Sequence, residues 1–144
     1  MKYANAMKIN ITVLLMLICC CFVSASYGGI AIIVNPANSH TLTDDELKKA
    51  FLGKLKKFPD GSSMVVVNQK TGDIRDTFEM SVIKKRPRQV KAYWSKMVFS
   101  GKARPPIELE DDDDIIAFVA KESGAIGYID ETNINKSVRV IKVF

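Results

Sequence analysis

Gly28-Gly29-Ile30-Ala31-Ile32-Ile33-Val34-Asn35-Pro36 is the stretch that decides the fold class. Five apolar residues, four of them β-branched, run without a polar break between a glycine pair and an Asn-Pro turn signal. β-branched side chains favour extended backbone. Without polar alternation the strand has no solvent-facing side, so the run reads as a strand buried on both faces of its sheet. Such a strand needs a covering layer above and below it, and the rest of the chain supplies amphipathic helices to make them.

Downstream, Thr43-Asp44-Asp45-Glu46 has the spacing of a capping box, with Leu42 and Leu47 placed as its hydrophobic staple. Leu47, Ala50, Phe51 and Leu55 then share one helical face, and Gly53 is a natural stop near Leu52. Asp60-Gly61 marks a turn, and Met64 to Val67 reads as a second buried strand. Thr71-Gly72-Asp73 leads into a helix with Ile74, Phe78 and Val82 at i, i+4 and i+8. Pro87 suits the first turn of the next helix, which carries Val90, Trp94, Met97 and Val98 along one face. Pro105-Pro106 breaks the chain. Asp111 to Asp114 opens a further helix with Ile115, Phe118 and Val119, closed by Gly124. Ala125 to Ile129 and Val138 to Val143 are the last strands. The order β-α-β-α-α-α-β-β predicts an α/β fold, with one mostly parallel sheet flanked by helices on both faces.

The whole chain has 144 residues, a net charge of +5 and three cysteines, but these values average two unlike parts. Residues 1–25 hold 19 apolar residues, all three cysteines and only two charges, Lys2 and Lys8. Ile11 to Val23 is an almost unbroken apolar run of 13 residues, followed by Val23-Ser24-Ala25 with small or tolerated residues at the cleavage positions. This is the layout of a secretory signal peptide. A run of that length falls short of the roughly 20 residues that span a bilayer as a helix. Ile18 ahead of Cys19 speaks against lipidation. The expected mature chain, residues 26–144, has no cysteine and a net charge of +3. It suits one exported domain with no membrane span once the signal is cleaved. It offers no disulfide, thiol nucleophile or thiolate metal site.

In a parallel α/β sheet, ligands bind beyond the carboxyl ends of the strands. That singles out the loops Asn35–Thr41 and Asn68–Asp73. The second is the more informative, since Asn68-Gln69-Lys70-Thr71-Gly72-Asp73-Ile74-Arg75 leaves a strand and enters a helix. Free N–H groups and the dipole at a helix start favour an anion. Lys70, Thr71, Gly72 and Arg75 add a charge, a hydroxyl, close backbone access and a bidentate fork. The same residues also fit a plain helix cap, with Asp73 occupying the anion's place and the cations in solvent. The candidate anion-binding set is Lys70, Thr71, Gly72, Asp73 and Arg75, with Ser39 from the first loop.

Other chemistry finds little footing. His40 is the sole histidine and lacks an evident carboxylate or hydroxyl partner for a triad or zinc site. Asp111 to Asp114 lacks the alternate spacing and glycine of a calcium loop and fits a helix N-terminus. The basic run of Lys84, Lys85, Arg86, Arg88, Lys91 and Lys96 reads as a solvated face, with an anionic partner second, and export argues against nucleic acid. Paired catalytic carboxylates, a P-loop and a nucleophile elbow are all missing from the sequence, so an enzyme is not expected and no cofactor is implied.

Several segments, taken in order, resemble the phosphate-binding proteins of ABC transporters. They are Leu42 to Gly61 with its Phe51-Leu-Gly-Lys54, Arg75-Asp-Thr-Phe78, Tyr93-Trp94 with Phe99-Ser-Gly101, and Gly124-Ala-Ile-Gly-Tyr-Ile129. The resemblance covers about residues 30–144. It implies a periplasmic binding protein type 2-like domain over residues 26–144, built as a three-layer α/β lobe. It also implies a phosphate-type anion at the Lys70–Arg75 loop. The family builds two lobes around its anion, and this chain is long enough for one, similar to the second. Arg75 and Phe78 match the family pattern. Gly72, Asp73 and Ile74 stand where it has Ser-Gly-Thr, and Asn68 stands where it often has arginine. Two function classes follow. One is a lobe that binds an oxyanion weakly, or completes its site as a homodimer. The other is an envelope interaction module or accessory subunit that has lost its ligand.

Overall fold

All five residues of Ile30–Val34 are buried, with no more than 1% of any side chain exposed. In the computed structural model, which describes residues 28–144, this strand is β1. The expected signal segment, residues 1–25, lies outside the described residues. After β1 come α1 (Asp44–Phe51), β2 (Val65–Gln69), α2 (Asp73–Ser81), α3 (Pro87–Phe99), β3 (Ile107–Leu109) and α4 (Asp112–Lys121). The chain then forms β4 (Ala125–Asp130), a 3-10 turn (Glu131–Asn133) and β5 (Arg139–Val143).

The strands form one mixed sheet in the order β3-β2-β4-β1-β5. β2 is parallel to β3 and β4, while β1 is antiparallel to both its neighbours, β4 and β5. Four strands therefore run one way and β1 runs the other. Ile30 faces Asp130 and Val34 faces Ile126 across the β1–β4 pair. The α/β class stands, with a sheet that is mostly parallel in strand direction and flanked by helices. Burial alone could not give the direction of β1, because a fully covered strand shows the same apolar run whichever way it points.

Successive side chains of a strand point to opposite faces, and β1 uses both. Ile30, Ile32 and Val34 join Ile126 and Tyr128 in a core with Leu47, Phe51, Phe78, Val90 and Trp94 from α1, α2 and α3. Ala31 and Ile33 join Val67, Ala125 and Ile129 in a second core with Ile115, Ile116 and Val119 from α4. Both cores are built within residues 30–144. No buried side-chain polar atom among the described residues lacks a hydrogen-bond partner, so this body satisfies itself.

The local signals act as expected in α1. Glu46 N–H donates to Thr43 Oγ1 at 3.3 Å and Thr43 N–H donates to Glu46 Oε2 at 2.8 Å, closing the capping box. The helix ends as Gly53 enters the left-handed region at φ +69°. Two boundaries differ from the sequence reading. β2 runs on through Asn68 and Gln69, which are buried rather than in a loop. Ile107–Leu109 is an edge strand with no counterpart in the expected order. Its three residues alternate nothing that periodicity could detect, and Ile107 is largely exposed.

Gly127 shows why β4 has no side chain at its centre. A Cβ there would lie 2.9 Å from Ile115 Cγ2 and 3.2 Å from Val67 Cγ2, so α4 packs directly on the strand backbone. Gly127→Ala is expected to destabilise the fold by about 1–3 kcal/mol through overpacking, measured by urea unfolding.

Candidate functional site

The reversal of β1 separates the two loops picked out by the sequence. Val34 leaves the sheet beside Ile126, near the start of β4, whereas β2 leaves it at Gln69, at the opposite end. Ser39 is thus not part of the Lys70–Arg75 site. It is exposed in a shallow pocket with His40, Asp60, Ser62, Ser63 and Gly124. The expectation that both loops meet at one ligand assumed that β1 and β2 point the same way. The first loop has structural work instead. Asn35 Nδ2 donates to the carbonyls of Val119 and Ala120, both at 2.9 Å, at the end of α4. Arg139 Nη1 donates to the carbonyls of Asn38 and His40, both at 3.0 Å.

His40 does have a carboxylate partner, correcting the sequence reading. Its Nε2 lies 3.0 Å from Asp60 Oδ2, and its ring stacks on Phe58 at 5.8 Å. Asp60 is 16 residues after the helix start at Asp44, so the pairing depends on tertiary folding and left no spacing to read. No cluster of three metal-ligating side chains occurs among the described residues.

Lys70, Thr71, Gly72 and Arg75 do come together, lining one wall of a groove of about 1030 Å³. Trp94, Val98 and Phe99 of α3 line the other wall, with Pro105, Pro106 and Glu108 at its end. Asp73 begins α2 beside them. Gly72 sits at φ +118°, and nothing lies within 4 Å of where its Cβ would be. Glycine is needed there for backbone conformation, and the space above it is open. No side chain caps α2, so the N–H groups of its first turn keep their affinity for a negative charge.

Neither cation is free. Lys70 Nζ donates to Glu110 Oε1 at 2.7 Å, which holds the lysine above its ordinary pKa. Arg75 donates through Nε to Glu79 at 3.0 Å, and through Nη1 to Glu108 at 2.7 Å and to the carbonyls of Gln69 and Lys70. Burial works against the charge on Arg75, but Glu108 and Glu79 override it and keep the guanidinium firmly protonated. Burial pushes the Glu79 carboxyl upward, opposed by Arg75. Three carboxylates thus surround two cations. The Arg75–Glu79 pair was open to reading at i, i+4. Glu108 and Glu110 lie on and just after the unpredicted strand β3 and were not.

Behind the loop, buried polar groups fix the ends of β2 and β4. Tyr128 Oη donates to Asn68 Oδ1 and accepts from the Gln69 N–H at 3.3 Å. The ring stacks on Phe78 at 3.8 Å, and burial raises the phenol pKa. Asp112, the second residue of the acidic run, is buried. It accepts from Gln69 Nε2, from the Asp130 N–H at 2.9 Å and from Asn133 Nδ2 at 2.8 Å. Asp111 is the N-cap of α4, accepting from the Asp114 N–H at 3.0 Å.

The PBP superfamily domain pattern matches residues 21–139. This chain belongs to the PBP superfamily. Solved structures share its fold. An ABC-type phosphate transport receptor from Vibrio cholerae matches with a TM-score of 0.61 and 21% identity, over 80% of this chain and 46% of the receptor. PstS from Borrelia burgdorferi matches with a TM-score of 0.60 and 15% identity, over 80% of this chain and 47% of PstS. At such identities the likeness is one of fold, and this PBP-like chain spans less than half the length of either structure. No curated protein matches the sequence. No helix among the described residues is long and apolar enough to cross a membrane.

Two measurements test these networks. Asp112→Asn removes a charge that three donors share, and is expected to cost about 2–4 kcal/mol in chemical unfolding. Exposed Asp113→Asn is expected to stay within about 0.5 kcal/mol. Asp60 is held down to about 2, first by its hydrogen bonds from Ser62 and then by His40. A depressed folded pKa stabilises above the unfolded value near 3.8 and loses that contribution as pH falls towards 2. Asp60→Asn is therefore expected to flatten that part of the stability–pH curve, followed by thermal melts across pH 2 to 5.

Proposed function

We propose that this PBP-like chain is an exported solute-binding lobe that takes a phosphate-type oxyanion weakly at the start of α2. The single observation that carries the reading is the uncapped helix N-terminus at Gly72, open to the groove beside Arg75. Backbone N–H groups of that first turn supply directed donors. Arg75, fixed by its carboxylate and carbonyl contacts, supplies the charge, with Lys70 and Thr71 beside it. Glu108, Glu79 and Glu110 set the strength, because an arriving anion must share cations that are already neutralised. Such a site works at millimolar anion, or when a second body adds donors from across the groove. The fold likeness to phosphate transport receptors supports the choice of anion.

A second reading is an envelope interaction module that uses no ligand, and those same ion pairs favour it. Titration calorimetry of the chain from Ser26 with phosphate and with sulfate separates the two. The oxyanion reading expects weak heat at millimolar anion, abolished by Arg75→Ala. It also expects binding about tenfold tighter in a Glu108→Gln, Glu110→Gln variant, where a charged hydrogen bond becomes available to the anion. Absence of heat and of thermal shift in both proteins leaves the interaction module.

A further inference from the structure

Between Met80 and Ile107 stand eight lysines and arginines and no aspartate or glutamate, although the chain holds 16 acids. The local charge exceeds the +5 of the entire chain. None of the eight takes part in the ion pairs among the described residues, which involve His40, Lys49, Lys70, Arg75 and Lys142. Seven are exposed and Lys85 is half-buried.

Helix stability does not account for this distribution. Acids in the first turn and bases in the last suit the helix dipole, and α1, α2 and α4 all start with acids. The first turn of α3 has none, and Arg86 and Arg88 stand there instead. Just before it, Lys84 holds a left-handed backbone at φ +58°, where glycine or asparagine is the easier residue. The positive end of the helix dipole and Lys84, Lys85, Arg86 and Arg88 are therefore stacked at one place.

The outward side of α3 is also exposed along its length. Arg88, Ala92, Ser95 and Phe99 fall in one row at i, i+4, i+7 and i+11, and all are exposed. Lys91 and Lys96 flank the row, and the buried Val90 and Trp94 face the other way. Alanine and serine at the centre let a broad surface come close to the helix. At its end Phe99 is 96% exposed and Val98 is 54% exposed. Lys102 and Arg104 follow directly.

An exposed helix face with small residues at its centre, a fringe of cations outside the ion pairs and an apolar tip together match the boundary between headgroups and acyl chains. We propose that this face docks on an anionic phospholipid bilayer. α3 lies along the surface with its cations over the headgroup phosphates, and Phe99 and Val98 enter the acyl boundary. The adjoining run of cations that form no ion pairs and the nearly fully exposed Phe99 favour a bilayer, whose headgroups and acyl chains meet both at once. The docking face shares Lys91, Ser95, Val98 and Phe99 with the groove wall, while Arg88, Lys96 and Lys102 lie outside the groove.

Flotation of the chain from Ser26 with lipid vesicles tests the proposal. Vesicles of phosphatidylglycerol and phosphatidylcholine in equal parts are expected to carry the protein, and pure phosphatidylcholine is not. Raising salt from about 0.1 M to about 1 M, which shortens the screening length to roughly a third, is expected to release it. Arg88→Gln, Lys96→Gln and Lys102→Gln together are expected to weaken binding by about a hundredfold, at about fivefold per cation. Phe99→Ser is expected to weaken it while keeping the salt dependence. Circular dichroism of each variant verifies the fold, which these exposed positions leave intact. Equal binding to both vesicle types, no binding to either, or a triple variant that binds like the parent overturns the proposal. Binding to soluble polyglutamate without binding to vesicles also overturns it, and assigns an acidic protein to this face.

Discussion

Burial of β1 on both faces is the constraint on which the rest of the structure depends. Its odd and even side chains enter different cores, so one strand of five residues ties α1, α2 and α3 to one side of the sheet and α4 to the other. Its reversed direction then sorts the loops. The Asn35–Thr41 segment is carried to the end of the sheet where β2 and β4 begin, and the Gln69–Gly72 segment lies at the end where they finish. The candidate groove is therefore built from one end of β2, the start of α2, the length of α3, and β3, with nothing from the loop after β1.

Within that groove, geometry and electrostatics pull in different directions. The uncapped start of α2 and the open space at Gly72 favour an anion. Glu79, Glu108 and Glu110 place three negative charges around Lys70 and Arg75. Charge-assisted hydrogen bonds are strong because a partner is ionised, and a ligand at Arg75 or Lys70 meets a charge already shared with carboxylates. This is why the reading is of a weak site, although the fold is that of the PBP superfamily.

Much of the fold was legible because it rests on local signals. The Ile30–Val34 run, the Thr43–Glu46 box, Gly53 and the apolar stripe through Phe78 each act within one helical turn or one strand. Strand direction was not legible, since an apolar run carries no arrow. Strand β3 was hidden because Ile107–Leu109 is short, half-exposed and preceded by two prolines. The site was legible only in its sequence-contiguous part, Lys70 to Arg75. Its other half comes from β3, and the His40–Asp60 pair likewise joins residues that only tertiary folding brings together. Asp112 was read as a dipole partner, although its chief role is to hold Gln69, Asp130 and Asn133 at the ends of two strands.

Arg75 has a further consequence. A single guanidinium joins the end of β2, the body of α2 and the edge strand β3. An anion that takes Arg75 through Nη1 loosens its hold on Glu108, and β3 is short and paired on one side only. Occupancy of that nitrogen and fraying of the sheet edge would then be linked equilibria. An anion on Nη1 would compete with an ordered β3, and the amide protons between β2 and β3 would exchange faster. The edge strand would act as a built-in competitor, released in proportion to the anion bound.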